Sequence, residues 1–294
     1  MDPEAIDRRA TLKLLFAAGG CIVGASMTQP RKVDARATTS MPVIFLAHGS
    51  PLLLDDRQWV SELHGWAQAM PRPTAVLMLS AHWEQKPIAL GATRTVPLVY
   101  DFYGFPPKYY QVTYPAPGAP ALADSVSTLL AATESEVDPT ERGLDHGAYV
   151  PLVAMYPQAD VPVLQVSLPA LDPQTLFRLG RTLAPLRAEG VLIVGSGFLT
   201  HNLRAIDLRP QPVTPAWAQE LDAWAADVLA RRDVDALLDY RARCPGVREA
   251  LPTHEHFVPV IAALGAAVDG PNQVQFPITG FIAGSLTRRS VQYG

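Results

Sequence analysis

Cysteine is scarce in this chain, with two in 294 residues. So few exclude a disulfide scaffold and a cysteine-built zinc module. A basic surplus is missing too: 24 Lys and Arg stand against 28 Asp and Glu, a net charge of −4. Nucleic-acid-binding domains carry a basic face, so no nucleic-acid partner is expected. Charged residues make up 18% against 48% hydrophobic, the reverse of the balance that keeps chains disordered. No apolar run approaches the ~20 residues of a membrane-spanning helix, so no stable membrane anchor is expected. A phosphate-binding loop is absent, because Gly195-Ser196-Gly197 is too short for a dinucleotide fingerprint. Nor does it form the G-x-S-x-G elbow of a serine hydrolase. What stands out instead is a set of seven histidines.

The first 37 residues read differently from the rest. Arg8-Arg9 lie just ahead of a stretch, Leu14 to Thr28, that carries no charge. Roughly fifteen residues suit the core of a signal peptide better than a membrane span. Paired arginines before a mild apolar stretch resemble a twin-arginine export signal, and Ala35-Arg36-Ala37 supplies an A-x-A cleavage site. The expectation is a leader over residues 1–37 and a single folded domain over 38–294. The mature protein is then periplasmic or exported, with the twin-arginine export machinery as a partner. That route carries folded proteins, often with a metal loaded, which is a first hint of a metal. Cys21 offers an alternative as a lipoprotein acceptor, although Ala18-Gly19-Gly20 before it lacks the usual leucine. Cleavage leaves Cys244 alone.

Beyond the leader, Val43–Ala47, Ala75–Leu79, Val161–Leu168 and Val191–Val194 are short apolar runs of the kind a strand buried on both faces requires. Between them, Pro120–Thr133, Pro173–Glu189 and Pro215–Arg231 read as helices. Strands alternating with helices predict an α/β fold, one domain with a mainly parallel central sheet and helices on both faces.

Ligands of open parallel sheets bind beyond the carboxyl ends of the strands. His48 follows the first predicted strand directly, His82 follows the second, and His201 lies just past Val191–Val194. Together they converge on one rim and point to a metal or catalytic site. His146, in Leu144-Asp145-His146-Gly147, sits in a loop entering an apolar segment. His254 and His256 flank Glu255 at a spacing that faces them apart on a helix, so at most one points inward. His64 reads as a surface or filler residue. Neutral imidazole is the commonest side-chain metal ligand and suits zinc, iron, copper and nickel.

The motifs His48-Gly49-Ser50-Pro51, Ser80-Ala81-His82-Trp83, Leu144-Asp145-His146-Gly147, Thr200-His201-Asn202 and Glu255-His256-Phe257 occur in an order that resembles one family. It is the class III extradiol ring-cleavage dioxygenases of the 4,5-DOPA dioxygenase type, over about residues 41–294. Tyr100-Asp101-Phe102-Tyr103-Gly104-Phe105-Pro106 resembles that family as well. The resemblance implies a metal held by His48, His82 and His256, with His201 in or beside the ligand set. It further implies catalytic acid/base roles for His146 and His201. Fe(II) is implied for activity, and Zn(II) can occupy such a site without redox chemistry. The implied substrates are a catecholic small molecule and O2.

Two alternatives stay open at this level. One is a tetrapyrrole chelatase-like or zinc-hydrolase protein, which also uses a His-Gly-Ser turn after a strand. The other is a non-catalytic exported metal-binding protein, which would fill every coordination position. The aromatic stretch from Tyr100 to Tyr114 either roofs a substrate pocket or is plain packing.

Overall fold

The computed structural model describes residues 40–294; the leader expected over 1–37, with Cys21, lies outside the described residues. In chain order the strands are β1 (Val43–Ala47), β2 (Ala75–Glu84), β3 (Ile88–Leu90), β4 (Val137–Pro139), β5 (Val163–Leu168), β6 (Val191–Gly197), β7 (Val274–Gln275), β8 (Phe281–Ile282), β9 (Leu286–Thr287) and β10 (Val291–Tyr293). The main helices are α1 (Arg57–Ala69), α2 (Pro120–Ala131), α3 (His146–Met155), α4 (Pro173–Leu183) and α5 (Ala216–Arg231). Three short ones follow, α6 (Val234–Leu238), α7 (Tyr240–Arg243) and α8 (Val247–Ala250), and then α9 (Pro259–Ala267). Among the described residues no helix is long and apolar enough to cross a membrane.

Eight strands form one sheet in the order β4-β3-β5-β2-β6-β1-β10-β7, with β8 and β9 paired apart. The central four, β5-β2-β6-β1, run parallel. At the margins, β3 runs antiparallel to β5 and β10 antiparallel to β1. Side chains alternate across the sheet, as the pleat requires. Val43, Phe45, Leu77 and Ile193 enter a core with α2, α4, α5 and α9. Ile44, Leu46, Val76 and Val194 enter the opposite core with α1 and α3. Both faces are therefore covered, which is why β1, β5 and β6 are buried along their whole length.

Some boundaries differ from the sequence reading. His82 lies inside β2, not after it, because pairing with β5 resumes at Glu84–Leu168 after a register shift past Leu79. The helix expected over 173–189 becomes α4 followed by a 3-10 turn, Ala184–Glu189. Pro185 has no N–H to give to the α-helical ladder there. His146 opens α3 instead of standing in a loop. The preceding Asp145 caps that helix, its side chain accepting the Ala148 N–H at 3.2 Å.

Candidate metal centre

The carboxyl ends of β1, β2 and β6 meet at one edge of the sheet. His48 leaves β1 there, its N–H donating to the Gly197 carbonyl at 3.2 Å. The turn carrying His256 lies directly on the end of β6, where Phe198 N–H donates to the His256 carbonyl at 2.8 Å. Only a bare strand end permits this: a Cβ on Gly197 would sit 2.0 Å from that carbonyl. The first turn of α3 is equally close. A Cβ on Gly147 would lie 2.5 Å from Ser80 Oγ and 2.9 Å from His82 Cδ2.

The ring nitrogens sort themselves by their partners. Ser196 Oγ donates to the Gly147 carbonyl at 2.5 Å, so it must accept from His48 Nδ1, 2.9 Å away. His48 therefore carries its proton on Nδ1 and leaves Nε2 bare. His256 Nδ1 donates to Glu255 Oε1 at 2.9 Å, and His82 Nδ1 faces Asp101 Oδ2 at 3.2 Å. Three bare Nε2 atoms then face inward. His82 Nε2 lies 3.2 Å from His48 Nε2 and 3.2 Å from His256 Nε2. None has a proton to share with the others. Such spacing suits donors each about 2.1 Å from a shared cation. Carboxylates and a hydroxyl orienting the outer nitrogens are the usual support of metal-binding imidazoles.

Burial, reinforced by the neighbouring His82 and His256, holds His48 well below the usual histidine range. Burial likewise lowers His82 and His256. Neutral rings with free lone pairs are the state a cation needs. The carboxylates behave in the opposite sense. Burial alone would raise Asp101, but its hydrogen bonds from His146 and the electrostatic pull of the two adjacent imidazoles outweigh it and hold it at about 2. Glu255 is pulled to about 2, the His256 hydrogen bond overcoming burial.

His146 and His201 flank this cluster. His146 Nδ1 donates to Asp101 Oδ1 at 2.8 Å, and its backbone N–H reaches the same oxygen at 3.1 Å. Its ring centre lies 4.0 Å from that of His82. His201 stacks on His256 with ring centres 3.4 Å apart and planes 14° from parallel. Two nearly parallel rings do not share an in-plane point. Burial and the adjacent His256 press His201 down to about 3, so it is neutral at physiological pH. His254 turns away to the Tyr240 hydroxyl at 2.8 Å, and His64 is exposed on α1.

All five clustered histidines open into one cleft of about 750 Å³. Phe102, Tyr103 and Phe105 from the aromatic stretch line it, whereas Tyr109 and Tyr114 are buried elsewhere. Of the two readings of that stretch, roof and packing, each applies to part of it.

Five imidazoles on a parallel-sheet rim, three with converging bare nitrogens, define a metal-dependent enzyme centre of the α/β class. Residues 42–280 match the family described as the catalytic LigB subunit of aromatic ring-opening dioxygenase. The chain belongs to this family, and with it to the class III extradiol dioxygenases, enzymes that cleave catechol rings and depend on a metal. It is 37% identical over 273 residues to a 4,5-DOPA dioxygenase extradiol of Escherichia coli K12, covering 91% of this chain and all of that one. A Beta vulgaris protein of the same name is 40% identical over 230 residues, 76% of this chain and 85% of the relative. Among solved structures, an uncharacterized Escherichia coli K12 protein matches with a TM-score of 0.74 and 34% identity, over 86% of this chain and all of that one. The chelatase, zinc-hydrolase and non-catalytic alternatives are not favoured by these matches.

Sequence reasoning singled out the five histidines but not what orients them. Asp101, Ser196 and Glu255 are needed to set the tautomers, and Gly147 and Gly197 to let the segments meet. In the sequence, Asp101 stands out only as part of the Tyr100–Pro106 motif. Its carboxylate beside two aromatics, in a chain short of charge, was the available signal.

Proposed function

We propose that this chain opens a catechol ring at the extradiol position with O2, using Fe(II) held by His48, His82 and His256. The observation that carries the reading is the set of inward-facing Nε2 atoms at the cleft floor, with His82 Nε2 lying 3.2 Å from those of both His48 and His256. Three protein donors leave open positions, and bound iron supplies redox contact between catechol and dioxygen. The donors are all nitrogen, because the two nearby carboxylates are occupied with Nδ1 protons.

His201 is assigned to contact the substrate and not to ligate, since its ring stacks on His256 and burial keeps it neutral, a hydrogen-bond acceptor. It is placed to accept a hydrogen bond from a catechol hydroxyl and orient it. His146 holds one proton on Nδ1 against Asp101 and presents Nε2 to the cleft. When Nε2 takes a catechol hydroxyl proton, the Asp101 carboxylate stabilises the imidazolium, so His146 can return that same proton as the ring opens. Phe102 and Phe198 pack beside the imidazoles and limit water.

Anaerobic reconstitution with Fe(II), followed by a panel of catechols, tests the assignment. Oxygen uptake and a yellow ring-opened product are expected with iron and neither with zinc. Silence across the panel, or equal rates with zinc, overturns it.

We propose in addition that residues 1–37 direct twin-arginine export to the periplasm, a reading supported by Arg8-Arg9, the charge-free run and Ala35-Arg36-Ala37. Replacing both arginines by lysine is expected to hold the full-length precursor in the cytoplasm. Unchanged export would remove the twin-arginine reading.

A further inference from the structure

Five large hydrophobic side chains are exposed among the described residues: Leu52, Tyr103, Leu203, Leu208 and Val213. Scattered singly, such residues need no explanation. These are not scattered. Leu52, Tyr103, Leu203 and Leu208 all line the mouth of the histidine cleft, and Val213 follows Pro212 of the same wall. Tyr103 is 92% exposed and Leu208 83%, so the rim offers open apolar surface above the imidazoles. Exposed apolar surface gathered around a concave site marks what the site binds.

Charge at the rim is internally cancelled. Apart from histidines, the charged residues lining the cleft are Asp101, Asp207 and Arg209. Asp101 is committed to His82 and His146. Asp207 takes both arms of Arg209, from Nε at 2.8 Å and Nη2 at 2.6 Å. Among the described lining residues, neither a carboxylate nor an ammonium on the substrate would meet an unpaired partner. Size points the same way. A benzene ring is held by a cavity of about 150 Å³, and this cleft offers about 750 Å³.

We infer that the preferred substrate is a catechol bearing an extended apolar substituent, alkyl or aryl, which lies along the rim formed by Tyr103, Leu203 and Leu208. The inference rests on the ring-opening reading and names its substrate class. The catechol oxygens point to the histidines, and the tail leaves along the apolar rim. A zwitterionic amino-acid tail, as on DOPA, finds no complementary charge there.

Calorimetric titration of the anaerobic Fe(II) protein with catechol, 4-butylcatechol and DOPA decides the matter. Each buried methylene tightens binding roughly three- to fourfold, so 4-butylcatechol should bind at least tenfold tighter than catechol, and DOPA no tighter. In the double variant Tyr103→Ser/Leu208→Ser the butylcatechol-to-catechol affinity ratio should fall toward one. DOPA binding above 4-butylcatechol, or a ratio unmoved in the variant, overturns the inference. A change in oligomeric state with the ratio intact does the same, since the patch would then serve a second copy of the chain. Catechols that bind without being opened in air count against the ring-opening reading and leave the affinity comparison standing. Ring opening without any gain from the alkyl chain defeats only the substrate inference.

Discussion

The Asp101 carboxylate accepts the Nδ1 proton of His146 at 2.8 Å while its other oxygen faces His82 Nδ1 at 3.2 Å. One side chain thus orients an inward-facing imidazole of the metal centre and the imidazole proposed to move protons. Asp101→Asn keeps the shape but replaces one acceptor oxygen by a donor NH2, so one of the two rings loses its partner. Metal affinity is expected to drop about 10- to 100-fold. At saturating metal, kcat should still be down by about 10²–10⁴. Titration of the metal followed by steady-state kinetics separates the two effects.

Removing an inward nitrogen should act differently from removing a flanking one. His48→Ala and His82→Ala should each purify without bound metal, whereas His146→Ala should retain metal and lose turnover. Elemental analysis of the three proteins reads this out, and full occupancy in His48→Ala would refute its assignment as a ligand.

Gly197→Ala places a methyl where the His256 carbonyl already lies, 2.0 Å away. The His256 turn must move off β6, a small-to-large insertion costing about 1–3 kcal/mol. Thermal unfolding should show a lower Tm, and metal binding should weaken with it, because His256 is carried on the displaced segment. A Tm within error of the parent would mean that the turn relaxes freely.

Cys244, buried in the core and not among the residues lining the cleft, gives a pH-dependent prediction. Burial pushes its thiol from 9.0 up to about 12. The folded chain therefore keeps a proton that the unfolded chain releases, and stability from this source is complete below pH about 9. It declines as the pH rises through 9 toward 12. Tyr156, raised by burial from 10.0 to about 12, adds to the decline in the same direction. Tm measured across pH 8–11 should fall more steeply in the parent than in Cys244→Ala. The thiol should also resist alkylation at pH 8 until the protein unfolds.

Much of this organisation is local and legible in the chain. Wholly apolar runs such as Val43–Ala47 and Val191–Val194, short and alternating with helical stretches, fit strands covered on both sides, which calls for helices on two faces. A histidine placed directly after such a run must emerge at the sheet's carboxyl edge, as His48 does. The proline-led helices are equally local, and they differ only at their boundaries, most at Pro185, where the second ends in a 3-10 turn.

The sequence alone therefore determined the layers, the rim and the placing of His48, His82 and His201 on it, because each follows from periodicity or from adjacency to a strand, whereas His146 and His256 are drawn to the site by the family resemblance. Which nitrogens face one another was decided only by the tertiary structure. Asp101 reaches His146 because Val99 pairs with the Leu144–Asp145 segment, Val99 N–H donating to the Leu144 carbonyl at 2.9 Å. Ser196 meets His48 because β6 lies beside β1. Contacts between segments 45 and 148 residues apart leave no trace in local periodicity, yet they set the tautomers and so the chemistry of the site.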